Sequence, residues 1–500
     1  MSGLPERLRA VMALDPSAPA LESGGRWYTW GDLASAADQV DVTLRATGLG
    51  AGAPVGLMLR NRPAAFGAFL GLLRAGACVV TVNPLLGADR LRKDLSALDL
   101  PLLLGERDDL ALLPSASLPS VARGTLGALG EPVDVVVPAG PPPVAESRPG
   151  IAVRMLTSGT TGPPKRIDLS YEMLELVMLG AKHYERAADT DVRLRDGVVI
   201  VNAPLVHVSG VFRVVQAMLD GRRIALLERF TVEGWVDVVR RHRPKTVSLV
   251  PTALRMVLDA EVDDDVFTSV RSVISGTAPL DPDLADAFTD RYHVPVLGSY
   301  GATEFGGGVA GWNLADHQEF GTAKRGSVGR AHPGCALRIV DPELGTALET
   351  DDVGLLEVCA SQLGTDEWVR TTDLARLDAD GFLFIVGRAD ETILRGGYKV
   401  QPEVIRAALE RDPGVVEASV VGVSDLRLGA VPVAAVQRRP GHDIDEESLL
   451  ARASSQLAPY EVPVAIVVVD ELPRTASGKA DLAAVRALCA EAPATAQPAS

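Results

Sequence analysis

Apolar residues recur along the chain in two rhythms. One repeats every three to four residues, and the other runs in short, almost unbroken blocks of five to seven. Between residues 26 and 100 they alternate. "TWGDLASAADQVDVTLRATGLG" reads as an amphipathic helix that stops at glycine, "APVGLML" as a strand, the next apolar stretch as a helix, and "CVVTVNP" as another strand. A second alternating stretch covers 190–310. Residues 320–388 carry short strands and turns ("SVGRAHPGCALRIVD", "GLLEVCA", "FLFIVG"), and a smaller unit follows with "KVQPEVIRAALERDPGVVEASVVGV" as helix then strand. Alternation of this kind predicts an α/β fold with parallel sheets covered by helices. "VPAGPPPVAESRPG" (137–150) reads as a proline-rich connector, "EAPATAQPAS" (491–500) as a disordered tail, and no internal repeat is evident.

Composition narrows the classes. At roughly 150 residues per domain, 500 residues suggest about three domains. An apolar content of 47% supports a large core, and a net charge of −16 argues against a nucleic-acid binder. Cys78, Cys335, Cys359 and Cys489 lack metal-site spacing and read as reduced thiols of a cytoplasmic protein. The N-terminal segment is broken by charge and does not read as a signal peptide. The most apolar run, "FGAFLGLLRAGACVVTV", is too short to span a bilayer.

"LTSGTTGPPKR" (156–166) offers hydroxyls, free amides and a lysine to a phosphate. It is not the loop of nucleotide triphosphatases, in which glycine precedes the lysine and Ser or Thr follows it. Here Pro164 and Arg166 flank Lys165. "IAVRML" before it and "RIDLS" after it read as strands, so the loop tips a hairpin, with a helix starting at Ser170. A phosphate cradle and a plain polar turn are both open on this stretch alone.

Further stretches share a vocabulary: "APLVHVSG", "ISGTAPL", "SYGATEFGG", "WVRTTD", "VGRADETILRGGYKV" and "LPRTASGK". Their order resembles the adenylate-forming superfamily of acyl-CoA synthetases, peptide-synthetase adenylation domains and beetle luciferases, over nearly the whole chain. The resemblance implies a large N-terminal domain (1–389) of helix-covered sheets with a small β-rich subdomain, and a smaller mobile α+β C-terminal domain (390–490). It also implies roles. Thr157, Ser158, Gly159, Thr160, Thr161, Gly162 and Lys165 would hold ATP phosphates. Gly276, Thr277, Ala278, Tyr300, Gly301 and Ala302 would wall the adenine, and Asp373 and Arg388 would bind ribose or phosphate. Thr303 would bond a phosphate oxygen, and Glu304 would ligate Mg²⁺. His207 would lie between the phosphates and the acid, and Lys479 would serve adenylation. Asp390 would be the hinge that brings Gly396, Gly397 and Lys399 to the thiol of CoA.

The implied reaction joins a carboxylic acid to ATP as acyl-AMP and then to CoA. Loading of the same pantetheine arm on a carrier protein, and a noncatalytic ATP sensor, are the alternatives. The sequence admits a homodimer without requiring one. Relatives that activate amino acids carry an aspartate just after the histidine motif. "HVSGVFRVVQAML" has none, which points to a hydrophobic acid (fatty, aromatic or alicyclic) in a pocket that includes Val211, Phe212 and Gly306. Arg213 reads as a solvent-facing helix residue, with a second carboxylate as its alternative partner. Two positions depart from the family pattern: Arg166, where glycine or alanine is commoner, and Thr372, where glycine is usual.

Overall fold

The computed structural model describes residues 3–113, 118–138, 146–156, 165–181, 192–475 and 479–490. Its largest sheet has seven strands. Five run parallel, in the order Ala122–Leu126, Leu102–Glu106, Pro54–Met58, Cys78–Val82 and Ile151–Leu156, and one antiparallel strand closes each edge. The two central strands, "PVGLM" and "CVVTV", are buried at every residue, because helices cover both faces. The helix Trp30–Ala46 begins at a reciprocal cap: Thr29 Oγ1 accepts from Asp32 N (3.1 Å) and Asp32 accepts from Thr29 N (2.7 Å). The helix Pro63–Arg74 lies between this helix and the sheet, and every residue from Ala65 to Arg74 is buried. Phe66, Phe69, Trp30 and Leu33 form the centre of that core.

A second sheet pairs Arg195–Val201, Arg222–Leu226, Pro19–Ser23 and Arg26–Thr29. A third runs Thr246–Ser248, Ser272–Ser275, Val296–Ala302, Gly307–Gly311 and Arg330–Ala331. An all-antiparallel four-stranded sheet follows between Cys335 and Arg388. From Ile393 the chain builds a separate sheet, with its own apolar clusters around Ile405, Leu409 and Val436 and around Val421, Leu472 and Val485. Among the described residues, no helix is long and apolar enough to cross a membrane. The α/β architecture read from the rhythm of the sequence is the one observed.

The hairpin around the glycine-rich stretch also forms. Ile151–Leu156 pairs antiparallel with Arg166–Ser170, and Ser170 Oγ then accepts from Met173 N (2.9 Å) at the start of the helix Tyr171–Ala181. The loop residues Thr157, Ser158, Gly159, Thr160, Thr161 and Gly162 lie outside the described residues.

Candidate active site

The strand Val296–Ala302 carries Tyr300 to the antiparallel sheet between Cys335 and Arg388. It turns through Thr303–Phe305 and returns as Gly307–Gly311. Glycine is required at the crossing: a Cβ on Gly301 would sit 2.3 Å from the Gly307 carbonyl. The Tyr300 hydroxyl donates to the Asp373 carboxylate. Burial, then the charge of Asp373, keeps the phenol well above the usual range, so it remains a protonated donor. Asp373 sits directly across the ladder from Arg388.

Arg388 is held from several sides. It donates to Asp390 through Nε (3.0 Å) and Nη2 (2.9 Å), and to the Thr372 hydroxyl (2.7 Å). Glu391 lies 3.4 Å away and Asp373 3.8 Å away. Thr372, where the family usually has glycine, thus supplies an extra acceptor that fixes the guanidinium. The hydrogen bonds to Asp390, foremost among these contacts, raise the Arg388 pKa above that of an ordinary arginine.

On the opposite wall, the chain leaves the strand Ser272–Ser275 through Gly276 and Thr277. A Cβ on Gly276 would lie 2.5 Å from Ser299 Oγ, so only glycine allows the two segments this close. Thr277 has φ +70°, a strained backbone for a β-branched residue. Gly276, Thr277, Ala278, Tyr300, Gly301, Ala302, Thr303 and Glu304 all line one cleft of about 3320 Å³, together with Lys165, His207, Asp373, Arg388 and Lys479.

His207 opens the helix Val208–Leu219. Its Nε2 is buried without a hydrogen-bond partner. Burial, and then the nearby charge of Lys479, push its pKa down to about 4, so the ring is neutral at physiological pH. An orphaned buried nitrogen facing a cleft is a group waiting for a ligand. Lys479 comes from the C-terminal unit, on a turn where Thr475 N donates to its carbonyl (2.7 Å). Lys479 is an exposed residue that lines the cleft. Desolvation and then Arg388 lower its pKa, and Glu391, Asp373 and Glu304 partly offset them. Ion pairs join the C-terminal unit to the rest at Arg439–Asp259, Arg411–Asp283 (3.8 Å) and Arg90–Asp481 (3.7 Å).

This arrangement matches known proteins. Residues 8–363 fit the model of the AMP-binding enzyme family, and residues 405–479 fit that of the AMP-binding enzyme C-terminal domain. The chain belongs to the AMP-binding enzyme family. It is 29% identical to 4-coumarate–CoA ligase 3 of Oryza sativa subsp. japonica, covering 95% of this chain and 90% of that one. It is also 29% identical to sulfoacetate–CoA ligase of Cupriavidus necator, with 93% of each chain covered. ATP-bound MatB from Rhodopseudomonas palustris superposes with a TM-score of 0.81 at 26% identity, covering 97% of this chain and 99% of that one. The apo form of the same protein superposes less well, at 0.67.

Several expected positions fall elsewhere. Val211 is fully buried in the core and does not line the cleft. The helix turns Ser209, Phe212, Arg213 and Gln216 to the cleft, and Val211, Val214, Val215 and Met218 to the core. The pattern Val211–Val214–Val215–Met218 carried that signal. Gly306 is a left-handed turn residue (φ +70°) against Met173; Gly307 and Gly308 line the cleft in its place. Gly396, Gly397 and Lys399 sit on an exposed hairpin turn outside the cleft. Arg213 faces the cleft, contrary to the solvent-facing expectation.

Arg166 points inward. Its guanidinium pairs with Asp94 at 2.5 Å and donates to the Thr81 carbonyl at 3.1 Å, and its side chain is only 7% exposed. It therefore anchors the exit of the hairpin rather than projecting its charge from it. Asp94 and Gln401, which also shape the cleft or its backing, had no motif to announce them, and Glu391 lay in "VGRADETILRGGYKV" without a role assigned.

Proposed function

We propose that the chain activates a carboxylic acid with ATP and transfers the acyl group to CoA. In the first step a carboxylate oxygen bonds to the α-phosphorus and the α–β phosphoanhydride breaks, giving acyl-AMP and pyrophosphate. In the second, the CoA sulfur bonds to the acyl carbon, the C–O bond to AMP breaks, and the thiol proton goes to solvent. The reading rests on one convergence: Lys479, Arg388, Asp373, Glu304 and the neutral His207 meet in a single cleft.

Each group has work suited to its chemistry. Asp373 and Tyr300 offer a carboxylate and a flat ring to a ribose and a base. Lys479 is a flexible cation for charge that develops on the α-phosphate. His207 Nε2, neutral and unpartnered, can bond the incoming carboxylate or phosphate without adding charge. Thr303 and Lys165 are assigned to phosphate oxygens. Glu304 fits Mg²⁺ as a single carboxylate, since that ion takes its other ligands from phosphate and water, and no cluster of three His, Cys, Asp or Glu exists among the described residues. Bound there, Mg²⁺ would neutralise phosphate charge.

The boundary near 390 is taken as the hinge. Rotation there would withdraw Lys479 and bring in Gly396, Gly397 and Lys399 for the thiol step. The acid has an apolar body, because Phe212, Val177 and Gly307 meet at one wall: a Cβ on Gly307 would lie 3.4 Å from Val177 and 3.9 Å from Phe212. Relatives named for coumarate and for sulfoacetate support a carboxylate substrate and CoA as acceptor. A panel of fatty, aromatic and alicyclic acids with ATP, Mg²⁺ and CoA, read as AMP and thioester by mass, tests the reading. Pyrophosphate release that does not depend on an added acid would refute it.

A further inference from the structure

The helix Val208–Leu219 presents one stripe to the cleft, Ser209, Phe212, Arg213 and Gln216, while its other face is locked in the core. Arg213 stands six residues beyond His207, about 9 Å along the helix axis. Its side chain leans back toward the N-terminal, catalytic end, as helical side chains do.

No described residue forms an ion pair or hydrogen bond with Arg213. Arg213 is half-buried, and other enclosed arginines contrast with it: Arg74 has Asp38 and Asp41, Arg166 has Asp94, and Arg406 has Glu403 and Glu410. Desolvation alone moves the Arg213 pKa, downward, with no carboxylate opposing it. A guanidinium does not neutralise itself at any ordinary pH, so a desolvated one stays charged and wants an anion. Phe212, its neighbour on that stripe, and Gly307 line the same cleft.

We propose that Arg213 is the counter-charge for a second anionic group on the acid that this chain activates. The substrate is then a diacid: a carboxylate that is adenylated near His207, an apolar body of a few carbons or one ring, and a distal carboxylate or sulfonate bound to Arg213. A purely hydrophobic monoacid would cover the guanidinium in the cleft without giving it an anion. This rests on the ligase reading above and names its substrate class.

The test compares acids of one skeleton: 3-phenylpropanoate, its 4-carboxy and 4-sulfo derivatives, and the 4-methyl ester of the carboxy compound. A short pair, hexanoate and adipate, is run beside them. Each is assayed as kcat/KM with ATP, Mg²⁺ and CoA on the wild type, R213M and R213K. The wild type should favour the charged derivatives over the neutral ones at least tenfold. R213M should invert that ratio, and R213K should keep part of it. Carboxylate and sulfonate arms acting alike define an anion site; carboxylate alone defines a dicarboxylate site. A wild type that uses neutral acids as well as charged ones overturns the proposal while leaving the ligase reading intact. So does an R213M variant that loses both in equal proportion. If no acid of the panel elicits pyrophosphate release, the ligase reading fails as well. Should R213M not fold, the wild-type preference and R213K decide.

Discussion

Removing Asp94 should be among the most damaging single changes in the backing of the phosphate hairpin. Asp94 (13% exposed) and Arg166 (7%) pair at 2.5 Å behind the strand that follows Lys165. In Asp94→Ala the guanidinium stays charged and dry, and breaking a buried pair in this way costs about 3–5 kcal/mol. At roughly 2–4 °C per kcal/mol, the first thermal transition should fall by about 6–20 °C. Arg166→Met should cost less, because a stranded carboxylate can take up a proton whereas a guanidinium cannot release one. The Arg166→Met deficit should therefore shrink as pH falls from 7.5 to 5, and the Asp94→Ala deficit should not. The double variant Asp94→Leu/Arg166→Met, apolar on both sides, should recover most of the loss. The assay is chemical and thermal unfolding of all three variants at both pH values, with the KM for ATP measured alongside. KM should rise in the single variants, because Arg166 directly follows Lys165 and fixes where the hairpin exits. Additive single effects, with no recovery in the double variant, would refute the idea that the pair is one buried unit.

The other expectations concern the cleft. Lys479→Ala should slow acyl-AMP formation roughly 10²–10³-fold while sparing thioester formation from supplied acyl-AMP; equal loss of both half-reactions would count against the division of labour. Asp390→Pro should do the reverse, since proline fixes φ near −65°. Asp390→Ala, which also loses the bond to Arg388, is the control, and normal overall turnover by the proline variant would place the pivot elsewhere. His207 has a folded pKa of about 4 against 6.5 for a free histidine, so its neutral form favours the fold. That contribution, about 3 kcal/mol, is full above pH 6.5 and is lost as pH falls toward 4. The stability gap between wild type and His207→Gln in urea should accordingly move against the wild type by about 2.5 kcal/mol between pH 7.5 and 4.5, and a pH-independent gap would contradict the assignment.

Local information was enough for much of this protein. The continuous apolar runs at 54–58 and 78–82 announced buried parallel strands, Ser170 marked a helix start, and two strand-like runs flanking "TSGTTGPPK" announced a hairpin. Strand, cap and turn propensities act between near neighbours, so the order of residues determines them. The motifs that place Tyr300, Asp373, Arg388 and Lys479 were likewise legible as text, and their meeting in one cleft could be expected only through the family resemblance.

Tertiary structure decided matters of phase and of partner. A 3.6-residue period says that Val211 and Phe212 lie on different faces of one helix, but which face meets the core depends on what packs there. Choosing among Gly306, Gly307 and Gly308 needed the turn geometry and the side chain of Met173. Arg166 could have crowded the loop or charged it; a carboxylate 72 positions away drew it inward. Arg213 was ambiguous for the same reason. Charge pairing depends on distance through space, and the chain fixes that distance only once its sheets have stacked.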